Sequence, residues 1–128
     1  MVKFSPAIQR LVDAADREER RQRGVGRTLA RHSWTTPQHI EQHEASTRFA
    51  RHQASRKIVE VARKAKDQAA EASLAAQAEA AARYAKTGSQ FQRVMKINAD
   101  PKVRAAVAAY KQAEEEYGEL LRQHMGYD

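Results

Sequence analysis

At 128 residues with no cysteine, the chain is one domain's worth of protein without a disulfide framework or thiolate chemistry. Leu, Ile, Val and Phe number only 20, while Ala supplies 25, so the sequence favours helix but offers little bulky material for a core. The net charge of +7 is uneven: residues 1–66 hold 15 Lys/Arg against 7 Asp/Glu, and residues 67–128 hold 8 against 9. The first half is therefore the part expected to seek an anionic surface.

Each of the three prolines follows a residue suited to capping a helix: Ser5-Pro6, Thr36-Pro37 and Asp100-Pro101. With stops at Gly24 and Gly88, this punctuation predicts helices over about 6–23, 37–87 and 101–125. Ser89 adds a short helix near 89–97 before a break at Asn98. The expected fold is all-α, an extended helical hairpin of coiled-coil type without strands. The whole of 1–128 is read as one helical unit: a basic segment over 1–36, a long Ala-rich helix over 37–87 and an amphipathic helix over 100–125.

The first helix places Ile8, Leu11, Val12 and Ala15 on one stripe. Its second half is rich in arginine, but Asp13–Arg17, Asp16–Arg20 and Glu19–Arg23 are spaced as i, i+4 ion pairs. Much of that charge is expected to be balanced. Gly24-Val25-Gly26 then continues to Leu29 where a dinucleotide-binding loop needs a third glycine, and no strand precedes it.

Trp34 stands just before the second helix. It is read either as a hydrophobic staple over Ile40 or as an interface anchor. His39 and His43 are four apart on one helical face, which makes them a weak metal-ligand pair. The H-E-x-x-H pattern is not met, because Glu41 lies one place late and points away from His39. The better reading of 35–44 is a capped helix start, with Thr36 as N-cap and Glu41 and Glu44 near the positive end of the dipole.

Along the second helix, Ile58, Ala62, Ala65, Ala69, Ala72 and Ala76 keep heptad spacing. Either this is a coiled-coil seam or the rhythm arises from Ala-rich composition. Arg48, Arg51, Arg56, Lys57, Arg63 and Lys64 distribute positive charge along the same helix, joined by Arg27 and Arg31 ahead of it. The outline of a basic zipper fails on its Ala seam and on the absence of an Asn there to read adenine. In the last helix Val103, Val107, Tyr110, Tyr117 and Leu121 form an apolar stripe opposite the acidic run Glu114–Glu116 and Glu119.

No P-loop, nucleophile elbow or zinc-finger spacing is present, and no cofactor is implied. The carboxylates sit on polar faces, where nothing raises a pKa for acid–base work. The expected function is a non-enzymatic structural or accessory subunit of a larger assembly. Trp34, Ile58, Ala62, Ala65, Ala69, Ala72, Val103, Val107, Tyr110, Tyr117 and Leu121 are its candidate protein-contact residues. Arg27, Arg31, Arg48, Arg51, Arg56, Lys57, Arg63 and Lys64 are its candidate contacts to an anionic partner, either nucleic acid or an acidic protein. The alternative is a non-specific nucleic-acid-binding accessory protein, and the third reading a peripheral membrane-surface protein. With no secretory signal and no run of about 18 apolar residues, an intracellular location or one within a large particle is expected.

Overall fold

A computed structural model describes residues 2–126. They form four helices: α1 (Pro6–Arg31), α2 (Pro37–Arg83), α3 (Gln90–Ala99) and α4 (Pro101–Met125). No strand occurs among the described residues, so the fold is all-α as the punctuation predicts. None of these helices is long and apolar enough to cross a membrane.

The three prolines do open three helices, but the capping chemistry differs among them. Ser5 holds the extended N-cap backbone of α1 without a side-chain capping bond. Thr36 caps α2 through its hydroxyl, which accepts from the His39 amide at 3.2 Å. Asp100 caps α4 by accepting from the Lys102 amide at 2.9 Å and the Val103 amide at 3.4 Å. The short helix α3 has a full capping box: the Gln92 amide donates to Ser89 Oγ, and the Ser89 amide donates to Gln92 Oε1. Gly88 precedes it at φ +39°, where a Cβ would collide with the Gln92 carboxamide. That position needs glycine.

Three boundaries depart from expectation. Gly24 does not stop α1, which runs through Gly24 and Gly26 to Arg31. A glycine inside a helix costs about 1 kcal/mol relative to Ala, yet the helix continues through this stretch with side-chain bonds to its carbonyls. The Thr28 hydroxyl donates to the Gly24 carbonyl at 3.1 Å, and His43 Nε2 donates to the Gln22 carbonyl of α1 at 3.1 Å. The connection to α2 therefore shrinks from the expected loop over 24–36 to residues 32–36. At the other end, α2 closes at Arg83 rather than 87, passing into a turn in which the Thr87 amide donates to the Tyr84 carbonyl. The break before α4 falls at Asp100 instead of Asn98.

The covered face of α2 also corrects the expected seam. Buried and part-buried positions follow Ile40, His43, Thr47, Arg51, Ala54, Ile58, Ala62, Ala65, Ala69, Ser73, Ala76, Ala80 and Tyr84, a repeating step of three, four and four. Ala72 is exposed and Ser73 takes its place. An 11-residue repeat gives about 3.67 residues per turn, closer to the 3.6 of a straight α-helix than the 3.5 of a heptad. A heptad stripe would slide off the covered face within a few turns.

Contacts gather into two compact units: Lys3–Val61 together with the chain from Leu120 onward, and Ala62–Glu119. The first contains the three largest fully buried side chains, Ile8, Ile58 and Leu120. The second is centred on Ala62, Ala80 and Val103 and buries Ser73, Asp100 and Glu116 among them.

Candidate anionic docking surface

In the first unit, helical geometry sorts the arginines of α1 into paired and free groups. Arg21 is spent locally: it donates to both carboxylate oxygens of Glu18 at 2.6 and 3.0 Å. Hydrogen bonds from Arg21 and then Gln22 pull Glu18 down to about 2. Arg23 pairs with Glu19 at 3.0 Å. The other two expected pairs do not form. Asp13 accepts from Gln9, and Asp16 turns to Arg51 of α2 at 3.2 Å. Among the described residues, Arg17 and Arg20 then have no acidic partner. The spacing rule fails here because a carboxylate on the covered side of α1 meets a guanidinium from α2 before it meets one on its own helix.

Arg20, Arg23, Arg27 and Arg31 are all exposed and follow steps of three, four and four. At 100° per residue they lie within about 80° of arc, on a ridge about 16 Å long. Arg27 and Arg31 carry no ion pair among the described residues. Arg48, also exposed and unpaired, comes from α2. Beside this ridge, in the turn between the helices, Trp34 is 67% exposed and its ring stacks on His32 at 5.2 Å. That exposure leaves little of the ring covered by a staple contact with Ile40.

Between α1 and α2 lies an open cleft of about 520 Å³. Leu29, Ala30 and Ile40 line it together with Arg23, Arg27 and Arg48, and Glu44 is its one acid. Gly26 lets α1 pass the His43 ring, which stands 3.5 Å from where a Cβ would be. His43 is engaged with the Gln22 carbonyl while its neighbour His39 is exposed. Among the described residues no group of three or more His, Asp or Glu side chains could hold a metal ion.

A second, more polar cavity of about 370 Å³ is lined by Glu19, Thr47, Arg51, His52, Ser55 and His124, among others. Ser55 Oγ and His124 Nδ1 share a hydrogen bond of 3.0 Å, the contact that ties α4 to α2 in this unit. Burial first, and then the charge of Arg51, hold His124 below the usual imidazole range against the opposing pull of Asp16. Arg51 itself is held by Asp16 at 3.2 Å and Glu19 at 3.4 Å. Arg48, which also lines this cavity, has no acidic partner among the described residues, whereas the charge of Arg51 is compensated. Sequence spacing could not reveal this, because Arg51 and Asp16 are 35 positions apart.

The remaining cationic candidates divide similarly. Arg56, Lys57 and Lys64 are exposed, and Arg63 lies 3.8 Å from Asp67. Among the candidate protein contacts, Ile58, Ala62 and Val103 are spent inside the chain at 2–3% exposure. Ala65, Ala69, Val107, Tyr110, Tyr117 and Leu121 are part-buried, and Ala72 is exposed. Tyr117 receives the Lys66 ammonium 4.9 Å from its ring centroid. A hydrogen bond to Glu114, with its negative charge, holds the Tyr110 phenol above its ordinary range. Sequence reasoning did not single out the α3 face as a contact surface, although the structure leaves Phe91, Val94 and Met95 at 47–72% exposure. Their i, i+3, i+4 spacing was the available signal.

The chain matches no protein-family model, and no curated protein or solved structure is significantly similar to it.

Proposed function

We propose that this protein is a non-enzymatic helical subunit of a larger assembly, docking on an anionic surface through the α1–α2 end of its first unit. The observation that carries the reading is the ridge of Arg20, Arg23, Arg27 and Arg31, three of them without an ion pair among the described residues. Unpaired surface guanidiniums gain little for the fold and are available to carboxylates or phosphates in bidentate geometry. Exposed Trp34 beside them supplies apolar contact area of the kind that dominates binding hot spots. Residues 3–61 and 120–128 hold 13 Lys/Arg against 8 Asp/Glu, and residues 62–119 hold 10 against 8, so the charge that steers encounter is concentrated in the first unit.

The test is retention on immobilised polyglutamate and on a random-sequence duplex oligonucleotide across a salt series. The expected result is binding at about 50 mM salt that collapses by about 200 mM. Reversing charge in the triple variant Arg27→Glu, Arg31→Glu, Arg48→Glu should abolish it with helicity unchanged. If neither polyanion is retained at low salt, this reading is wrong.

A second reading, phosphate-backbone binding to nucleic acid, is favoured by the even spacing of guanidiniums along the ridge. A duplex preference over polyglutamate, with a salt slope of several charges, would select it.

A further inference from the structure

We infer that the cleft between α1 and α2 is a groove for an acidic amphipathic helix of a partner protein. The inference rests on the docking reading above and names the partner class that reading leaves open. The cleft is lined by two consecutive turns from each helix: residues 22–30 of α1 and 40–48 of α2. Each segment is about 12 Å long, the length of two turns of a third helix laid against them. Its lining combines the apolar side chains of Leu29, Ala30 and Ile40 with the cationic Arg23, Arg27 and Arg48 against one acid, Glu44. Arg27 and Arg48 have no acidic partner among the described residues. Apolar and cationic side chains in one lining together fit a helix with an apolar stripe flanked by carboxylates. The open form of the cleft suits a side-chain row more than an enclosed small ligand, which needs most of its surface covered.

A phosphodiester chain fits the groove less well. It would satisfy Arg23, Arg27 and Arg48 but leave Leu29, Ala30 and Ile40 facing a polar backbone. The one ring in the lining, the His43 imidazole, is engaged with the Gln22 carbonyl. Phe49, next to Arg48 in sequence, and Trp34 are not among the lining residues, and Trp34 is stacked on His32.

The test uses the full chain and three labelled probes: an 18-residue peptide with Leu on one helical face and Glu flanking it, the same residues scrambled, and a duplex oligonucleotide. At about 100 mM salt the amphipathic peptide is expected to bind at least tenfold tighter than the scrambled one. Ala30→Glu places a carboxylate in the groove lining at an exposed position and should remove that difference. Because the chain has no cysteine, Ala30→Cys with an environment-sensitive dye gives a second readout. Its emission should shift with the amphipathic peptide and not with the scrambled one. Equal binding of both peptides overturns the groove while leaving the docking reading intact. Duplex binding tighter than either peptide and unaffected by Ala30→Glu also overturns it, in favour of nucleic acid. Absence of binding by all three probes at low salt removes both inferences.

Discussion

The two units of this protein are built from different materials. The first closes on Ile8, Ile58 and Leu120, each at 2% exposure or less, and devotes its surface to arginine. The second has only Ala62, Ala80 and Val103 as buried apolar residues and places a carboxylate, Asp100, at the joint between α3 and α4. Alanine releases little free energy on burial compared with the roughly 1.5–3 kcal/mol of a large aliphatic side chain. Hydrogen bonds therefore carry more of the specification in the second unit. Asp100 accepts from two α4 amides, from the Tyr84 hydroxyl at 3.2 Å and from Arg83 at 2.8 Å. In the second unit the cap and ion pair at Asp100 supplement a core of mostly small buried residues.

The sharpest way to break this comparison is to cut each unit at its own centre. Ile58→Ala should cost about 2–5 kcal/mol, as large aliphatic truncations in cores do. Urea unfolding would measure it. A loss under 1 kcal/mol would mean that the first unit is not held by its aliphatic core.

Asp100→Ala should lower the thermal midpoint by roughly 5 °C or more, from loss of the cap and its partners. Hydrogen exchange should show the loss concentrated in the first turn of α4. Burial alone would raise the Asp100 carboxyl, but the Lys102 and Val103 amides, Arg83 and Tyr84 outweigh it and hold it below its ordinary range. Its contribution is therefore present above the unfolded value of about 3.9 and lost as pH falls through the lower folded value. Asp100→Asn should flatten that acid limb. An unchanged limb would show that the joint is not electrostatic.

His124 sharpens the contrast at milder pH. Its folded value lies below its unfolded value of about 6.5, so stability is full above that pH and declines as pH falls towards the folded value. His124→Gln should remove this slope while Asp100→Asn leaves it in place. A slope unaffected by His124→Gln would assign it to another group.

The smallest effect should be a gain. A Cβ at Gly118 meets nothing within 4 Å, so Gly118→Ala in α4 should stabilise by up to about 1 kcal/mol from helix propensity. A chemical denaturation midpoint that moves the other way would point to a conformational need for glycine there.

Much of the fold was legible because it is local. A proline after Ser, Thr or Asp starts a helix whatever the rest of the chain does, and all three starts were read correctly. Ser89 is legible as the cap of α3, and the capping box it forms with Gln92 spans only four residues. The candidate docking surface was legible as composition, since Arg27, Arg31 and Arg48 are plain in the sequence. Their freedom was not, because it depends on which carboxylates are taken elsewhere. The same limit explains the errors over Gly24 and Ala72. A glycine reads as a stop until packing against another helix carries α1 through it, and a heptad reads as a seam until the covered face is seen to advance by eleven.

The sequence by itself determined that this protein is helical, where its helices begin and that its first half is basic. These follow from propensities, caps and charges acting over a few residues. Only the tertiary structure decided which charges remain unpaired and where a groove opens beside them. Ion pairs such as Asp16–Arg51 and contacts such as Ser55–His124 join positions 35 and 69 apart. Such contacts arise from packing of whole helix faces, which spacing along one helix does not encode.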